Sequence, residues 1–135
     1  TRLVSDWSSA CALPICGGFL EISPEVPVDG RTCSLLRFSC NSLPDPWGKY
    51  REVPGLQISV TGTDDAGGVL TTPYLPVKFA EKMDTDPATW QNAEVNMARA
   101  SVWKKIRSVK KIHLQYTYVP VQRSGIILRN LHFSR

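Results

Sequence analysis

No apolar run in this 135-residue chain approaches 18 residues, so the sequence offers no helix able to span a membrane. It has no His-Glu-x-x-His pair, no Gly-x-Ser-x-Gly elbow and no phosphate loop, which removes the zinc-protease, serine-hydrolase and nucleotide-binding signatures. Histidine is scarce: His113 and His132 both fall in strand-like runs, where a structural role is commoner than general-base work. The four cysteines, Cys11, Cys16, Cys33 and Cys40, include no Cys-x2-Cys spacing, which speaks against zinc. Neither an internal repeat nor a low-complexity segment is present, and the chain has no initiator Met or signal peptide. The last point leads us to expect a mature or excised domain of a larger protein.

What is present is ordinary globular material punctuated by turn formers. Hydrophobic residues make up 42% and charged residues 21%, so a folded core is expected rather than disorder. Ten prolines and nine glycines fall between the apolar runs, which suits short strands joined by turns. The length fits one domain, residues 1–135.

The last third carries the clearest pattern. In 91–97, Ala93, Val95 and Met97 alternate with Asn92, Glu94 and Asn96; in 111–119, Ile112, Leu114, Tyr116 and Tyr118 alternate with His113, Gln115 and Thr117. A period of two is the mark of a half-buried strand, because successive side chains point to opposite faces. The run 126–133 is apolar on both parities, which predicts a strand covered on both sides. Earlier, strands are expected at 19–22, 33–40, 56–61, 69–71 and 75–79, with 1–16 irregular and 98–105 holding one helical turn. The fold class expected is all-β: an antiparallel β-sandwich of about eight strands, with the three final strands at its centre.

Net charge is +4, and Lys104, Lys105, Arg107, Lys110 and Lys111 crowd into eight positions. Such a run reads either as a solvated loop entering a strand or as a landing site for an anionic polymer. Aromatic interleaving is confined to Trp103, so nucleic acid is not the expected partner. An even cysteine count favours an oxidising compartment. Cys33 and Cys40 would sit too far apart along one strand to bond each other, leaving Cys11–Cys16 or links from that loop to the strand.

Four segments together resemble a known family. They are Thr89-Trp90-Gln91, the basic link Lys-Ile-x-x-Val at 105–109, the strand Lys-Ile-x-Leu-x-Tyr at 111–116, and the closing Gly-x-Ile-Leu-x-Asn-Leu-x-Phe at 125–133. This is similar to the C-terminal half of the galactose-binding-like jelly rolls, the sandwich of many non-catalytic carbohydrate-binding modules. The resemblance covers residues 89–133 and implies a core role for Trp90. The first third has no counterpart of the family's calcium-binding opening, so no metal and no other cofactor are expected.

A sugar-binding face needs an exposed aromatic platform and polar groups that hydrogen-bond in the plane of the ring. Trp47 and Tyr50, on a Pro/Gly-rich loop, and Trp103, beside the basic run, are the candidate platforms. Gln57, Asn92, His113 and Gln115, from the polar parities of three strands, are the candidate hydrogen-bonding groups, provided that those strands share a sheet. Arg37, Arg51 and Arg129 are candidates for bidentate contacts to a carboxylate. Asp64/Asp65 and Asp84/Asp86 lie in turns, not across a cleft, so no catalytic residue is assigned. The expected protein is therefore a secreted, non-catalytic module that binds a polysaccharide, an acidic one matching its charge, and is appended to a larger multidomain protein. A protein-interaction or structural sandwich is the alternative, with a small glycan-active enzyme behind it.

Overall fold

The computed structural model describes residues 11–14, 19–42, 56–80, 90–116 and 125–135. Among them are eleven strands in two antiparallel sheets: β1 (Cys11–Pro14), β2 (Phe19–Ile22), β3 (Val26–Pro27), β4 (Leu35–Ser42), β5 (Leu56–Thr63), β6 (Val69–Thr71), β7 (Leu75–Pro76), β8 (Lys78–Phe79), β9 (Gln91–Asn96), β10 (Ser108–Tyr116) and β11 (Gly125–Ser134). One sheet runs β1-β11-β4-β9-β8, and the other runs β2-β10-β5-β6, with β3 on β10 and β7 on β5. The all-β antiparallel sandwich read from the sequence is the fold observed. None of the described helices is long and apolar enough to cross a membrane.

The three closing strands do sit centrally, but not together. β11 lies between β1 and β4, and β9 between β4 and β8, while β10 lies in the opposite sheet between β2 and β5. Leu36, Phe38, Cys40, Ala93, Val95, Leu128, Leu131 and Phe133 from one sheet meet Leu56, Ile58, Val60, Val109, Ile112 and Leu114 from the other in a single buried cluster. These are the inward parities of their strands, as sandwich packing requires.

The expectation that 126–133 is covered on both sides is corrected by a bulge. Arg129 pairs with Ser39 and His132 with Arg37, so Asn130 and Leu131 together oppose Phe38. Asn130 takes a left-handed conformation, φ 57°. The extra residue shifts the phase, so that Leu128 and Leu131, three apart, both point inward while Arg129, Asn130 and His132 point outward. β10 uses the same device: Val109 pairs with Gly62 and Lys111 with Thr61, so Lys110 is the additional residue and Val109 and Ile112 both reach the core.

Three further differences follow from backbone chemistry. The predicted strand 75–79 is two strands on different sheets, since β7 pairs with β5 and β8 with β9. Pro76 lacks an N–H to continue the first ladder, and the Val77 N–H closes it on the Leu56 carbonyl (3.0 Å) before the chain crosses over. Residues 11–14, read as irregular, form edge strand β1 against β11. Residues 98–105 hold two 3-10 turns, Met97–Arg99 and Ser101–Lys105, not one helical turn. Asn96 caps the first by accepting the Ala98 N–H at 3.1 Å.

β4 begins at Leu35, so Cys33 lies in the preceding turn. The strand from Leu35 to Cys40 alone spans roughly 17 Å, which keeps Cys33 and Cys40, both buried, out of mutual bonding range, as anticipated. Cys11 and Cys40 both pair with Leu128 from opposite sides. Two strand spacings place their backbones roughly 10 Å apart, which also excludes a bond between them. Cys16 lies outside the described residues.

Candidate functional site

Trp103 is fully buried, which removes it as a binding platform. It closes the bottom of the sandwich: its indole N–H donates to the Cys33 carbonyl at 2.8 Å, and its ring stacks on Phe133 with centroids 5.5 Å apart. The Gly30 Cα packs so closely beneath the Trp103 carbonyl that a Cβ there would come within 1.8 Å of the oxygen. The amphipathic indole, not its neighbouring lysines, decides the position; a buried Trp needs one acceptor, and the turn at Cys33 supplies it. Trp47, Tyr50 and Arg51 lie outside the described residues.

The polar candidates divide between the two sheets, so they do not form the single face expected. Gln57, His113 and Gln115 come together on the β5/β10 sheet, where Gln57 is level with Gln115 and Ser59 with His113. Their contacts are mutual. Gln57 Nε2 donates to Gln115 Oε1 (3.3 Å), His113 Nδ1 lies 3.7 Å from Glu21, and Lys111 Nζ lies 3.3 Å from the same carboxylate. Ser59 is buried and donates to the Thr72 carbonyl at 2.7 Å. Thr72 in turn uses its hydroxyl to accept the Val60 N–H (3.0 Å), extending the edge where Pro73 prevents another strand residue.

The basic run also comes apart on folding. Arg107 turns back to donate from Nη1 to the carbonyls of Lys104 (2.7 Å) and Ile106 (2.9 Å), and it sits 3.7 Å from Asp29 and 3.5 Å from Asp65. Asp29 is itself pinned by Arg31, whose side chain makes two 3.0 Å hydrogen bonds to its carboxylate and whose backbone N–H adds a third at 2.9 Å. Those hydrogen bonds, side chain first, and then the charges of Arg31 and Arg107 lower Asp29 from its usual 3.8 to about 2. This is a charged clamp between turns rather than an open cationic patch.

Asn92 and Arg129 stand on the other sheet, on the outer face of β8-β9-β4-β11, and that face holds a groove of about 570 Å³. Two cross-strand rows build it. The first is Lys78, Glu94, Arg37 and His132, in register from β8 to β11. The second is Asn92 and Ser39, continued beyond the groove's lining by Arg129. Ser39 donates to Asn92 Oδ1 at 2.9 Å, which leaves the Asn92 amide protons as the donors turned to the groove. His132 Nδ1 meets the Asn130 carbonyl at 2.6 Å. A carbonyl can only accept, so Nδ1 carries the proton and Nε2 offers a lone pair. Arg37 approaches Glu94 through Nε, at 3.6 Å, with both side chains nearly half exposed.

Trp90, assigned to the core from the resemblance, is half-buried and immediately precedes β9. It shares the outward parity of Asn92 and Glu94, and the Arg129 guanidinium lies 3.9 Å from the centre of its ring. Arg129 reaches it by crossing above β4, since its own backbone is level with Ser39. The same outer face that holds the groove thus also carries a cation–π pair, which ties the Arg129 side chain to the Trp90 ring.

Sequence reasoning missed Lys78, Trp90, Asn130 and His132 as members of this face. For Trp90 the signal was available, because position 90 has the same parity as the polar residues 92, 94 and 96. For Asn130 and His132 it lay in the pair Arg129-Asn130 between two leucines, a double polar step that a regular strand does not make. Lys78 is placed only by the crossing of the chain between sheets.

No protein-family model matches this sequence, and no curated protein matches it. Among solved structures, a chain in the structure of the infectious bursal disease virus Gx strain is similar over 100% of this chain, at 12% identity and a TM-score of 0.31. This chain spans 36% of the length of that one. What is held in common with the galactose-binding-like modules is the antiparallel β-sandwich.

Proposed function

We propose that this domain is a non-catalytic binding module that holds a polysaccharide on the outer face of the β8-β9-β4-β11 sheet. One observation carries the reading: the outer sheet face holds a groove that offers donors and acceptors side by side, and on the same face the Arg129 guanidinium lies over the half-buried Trp90 ring. A sugar ring has an apolar C–H face and an equatorial ring of hydroxyls, which calls for this combination of flat surface and in-plane hydrogen-bonding groups. Asn92 supplies donors, Glu94 and His132 Nε2 supply acceptors, and the sheet holds them all on rigid strands.

The non-catalytic part of this reading is supported by the placement of the carboxylates. Among the described residues lining the groove, Glu94 is the sole carboxylate, and hydrolysis of a glycosidic bond ordinarily employs two. In this reading the module serves a larger extracellular protein by keeping it on its polymer.

The test is retention on a panel of polysaccharide affinity gels. The wild-type domain is expected to be retarded on at least one gel, and Trp90→Ala and Asn92→Ala to lose that retardation with unchanged circular dichroism. Retardation that survives both substitutions would remove this face from the reading.

A further inference from the structure

The groove's charges are unevenly shared, and their placement names a class of sugar. Lys78 and Arg37 flank Glu94 on a single cross-strand row, one on each side. Arg129, opposite Ser39, adds a third cation two residues along from the Arg37 level and one strand further over. Two cations therefore flank one carboxylate in the groove, and a third lies on the same outer face beyond the groove's lining. The fixed strand spacing of about 4.8 Å puts Lys78 and Arg37 roughly 10 Å apart, so no one small anion satisfies both at close range.

We infer that the groove selects sugars bearing carboxylates, that is, stretches of a uronic-acid polymer, with Arg37, Lys78 and Arg129 each meeting acid groups on the chain. This inference rests on the polysaccharide reading given above. Arg37 approaches Glu94 through its inner nitrogen Nε at 3.6 Å, a distance beyond a tight hydrogen bond, so its outer nitrogens remain the natural fork for a ligand carboxylate. The contact with the Trp90 ring, 3.9 Å from its centre, holds the Arg129 side chain on this face, and its planar fork suits a carboxylate. Glu94 between the cations favours a ligand that alternates acid groups with hydroxyl donors, as a polyuronate does. It disfavours a continuous phosphate backbone, which would set charge against charge.

The experiment compares polygalacturonate and alginate, each beside its carboxyl-esterified form, in titrations at low and at 0.5 M added salt (a condition where screening falls to about 4 Å). A single-stranded DNA oligonucleotide serves as a non-sugar polyanion. The acid forms are expected to bind about tenfold more tightly than their esters at low salt, and the advantage is expected to shrink at high salt. Arg37→Ala combined with Lys78→Ala is expected to erase the acid-over-ester difference while leaving ester binding in place. Equal binding of acid and ester forms overturns this inference and leaves the polysaccharide reading standing. DNA binding as tight as that of the polyuronates also overturns it. If neither acid nor ester form of either polymer binds, this inference falls, and the polysaccharide reading is then decided by the affinity-gel panel.

Discussion

The Arg129 guanidinium carbon lies over Trp90, 3.9 Å from the ring centre, although β11 and β9, which Trp90 immediately precedes, are separated by β4. The contact joins the last strand of the chain to the start of β9 across the outer face. Stability and binding should respond to it differently. A cation–π contact at an exposed site contributes about 0.5–1 kcal/mol. Arg129→Ala is therefore expected to lower the unfolding free energy by no more than about 1 kcal/mol, while altering Trp90 fluorescence and weakening retention on a polysaccharide gel. Denaturant titration, fluorescence and affinity electrophoresis separate these effects. Arg129→Lys is expected to restore the charge but not the planar fork.

The bulge at Asn130 makes a sharper structural prediction. With φ at 57°, a β-branched residue at this place meets the left-handed penalty of about 1–2 kcal/mol. Asn130→Val is expected to cost about that much in urea denaturation, and Asn130→Gly to be close to neutral. Deleting Asn130 removes the extra residue and leaves Leu128, Leu131 and Phe133 in regular alternation opposite the buried Cys40, Phe38 and Leu36, so the deletion variant is expected to fold with the bulge gone and its outer face rearranged.

Trp103 anchors the closed end of the sandwich and should behave as core. Trp103→Ala is expected to destabilise by about 3–5 kcal/mol, since it removes a fully buried ring and leaves the Cys33 carbonyl without its donor. Trp103→Phe keeps the stacking surface against Phe133 and loses only the N–H, so a smaller loss of about 1–3 kcal/mol is expected. Neither substitution should change ligand preference among molecules that remain folded. A shift in preference would show that the Trp103 end of the sandwich takes part in binding.

The Asp29 clamp predicts a dependence on acid. Its carboxyl is held at about 2, against a usual 3.8, first by the hydrogen bond from the Arg31 side chain. A carboxyl with a lower pKa in the folded state contributes stability that is complete above its unfolded pKa and is lost as pH falls through the folded value. The difference in stability between wild type and Asp29→Asn should therefore be constant above about pH 5 and close between about 4 and 2. Thermal melts across that range measure it, and a difference that persisted at pH 2 would assign the contribution to something other than charge.

Much of this architecture was legible before any coordinates. Phe19–Ile22 and Val69–Thr71 are strands with the limits that the sequence suggests, and 56–61 and 91–97 need only a residue or two of adjustment. Alternation reports which side chains share a face, and the burial of Ala93 and Val95 against the outward Asn92 and Asn96 follows it. The site was less legible. Asn92 and Gln115 look alike in sequence, each a polar residue on an alternating strand, yet one faces the groove and the other pairs with Gln57 on the far side of the molecule. Trp103, a candidate platform beside the lysines, is buried instead, because an indole favours burial with one acceptor. Trp90, which the resemblance implies is core, is half-buried under the Arg129 guanidinium.

Period-two patterning together with proline and glycine placement settled the β class, most strand positions and much of the inward set of each strand. Those are local properties, written within a few residues of where they act. Which sheet each polar face joined, where the chain crossed between sheets after Pro76, and the meeting of Arg129 with Trp90 were decided only on folding. Strand pairing is a choice among distant partners, made by the joint packing of both layers, and no single segment carries it.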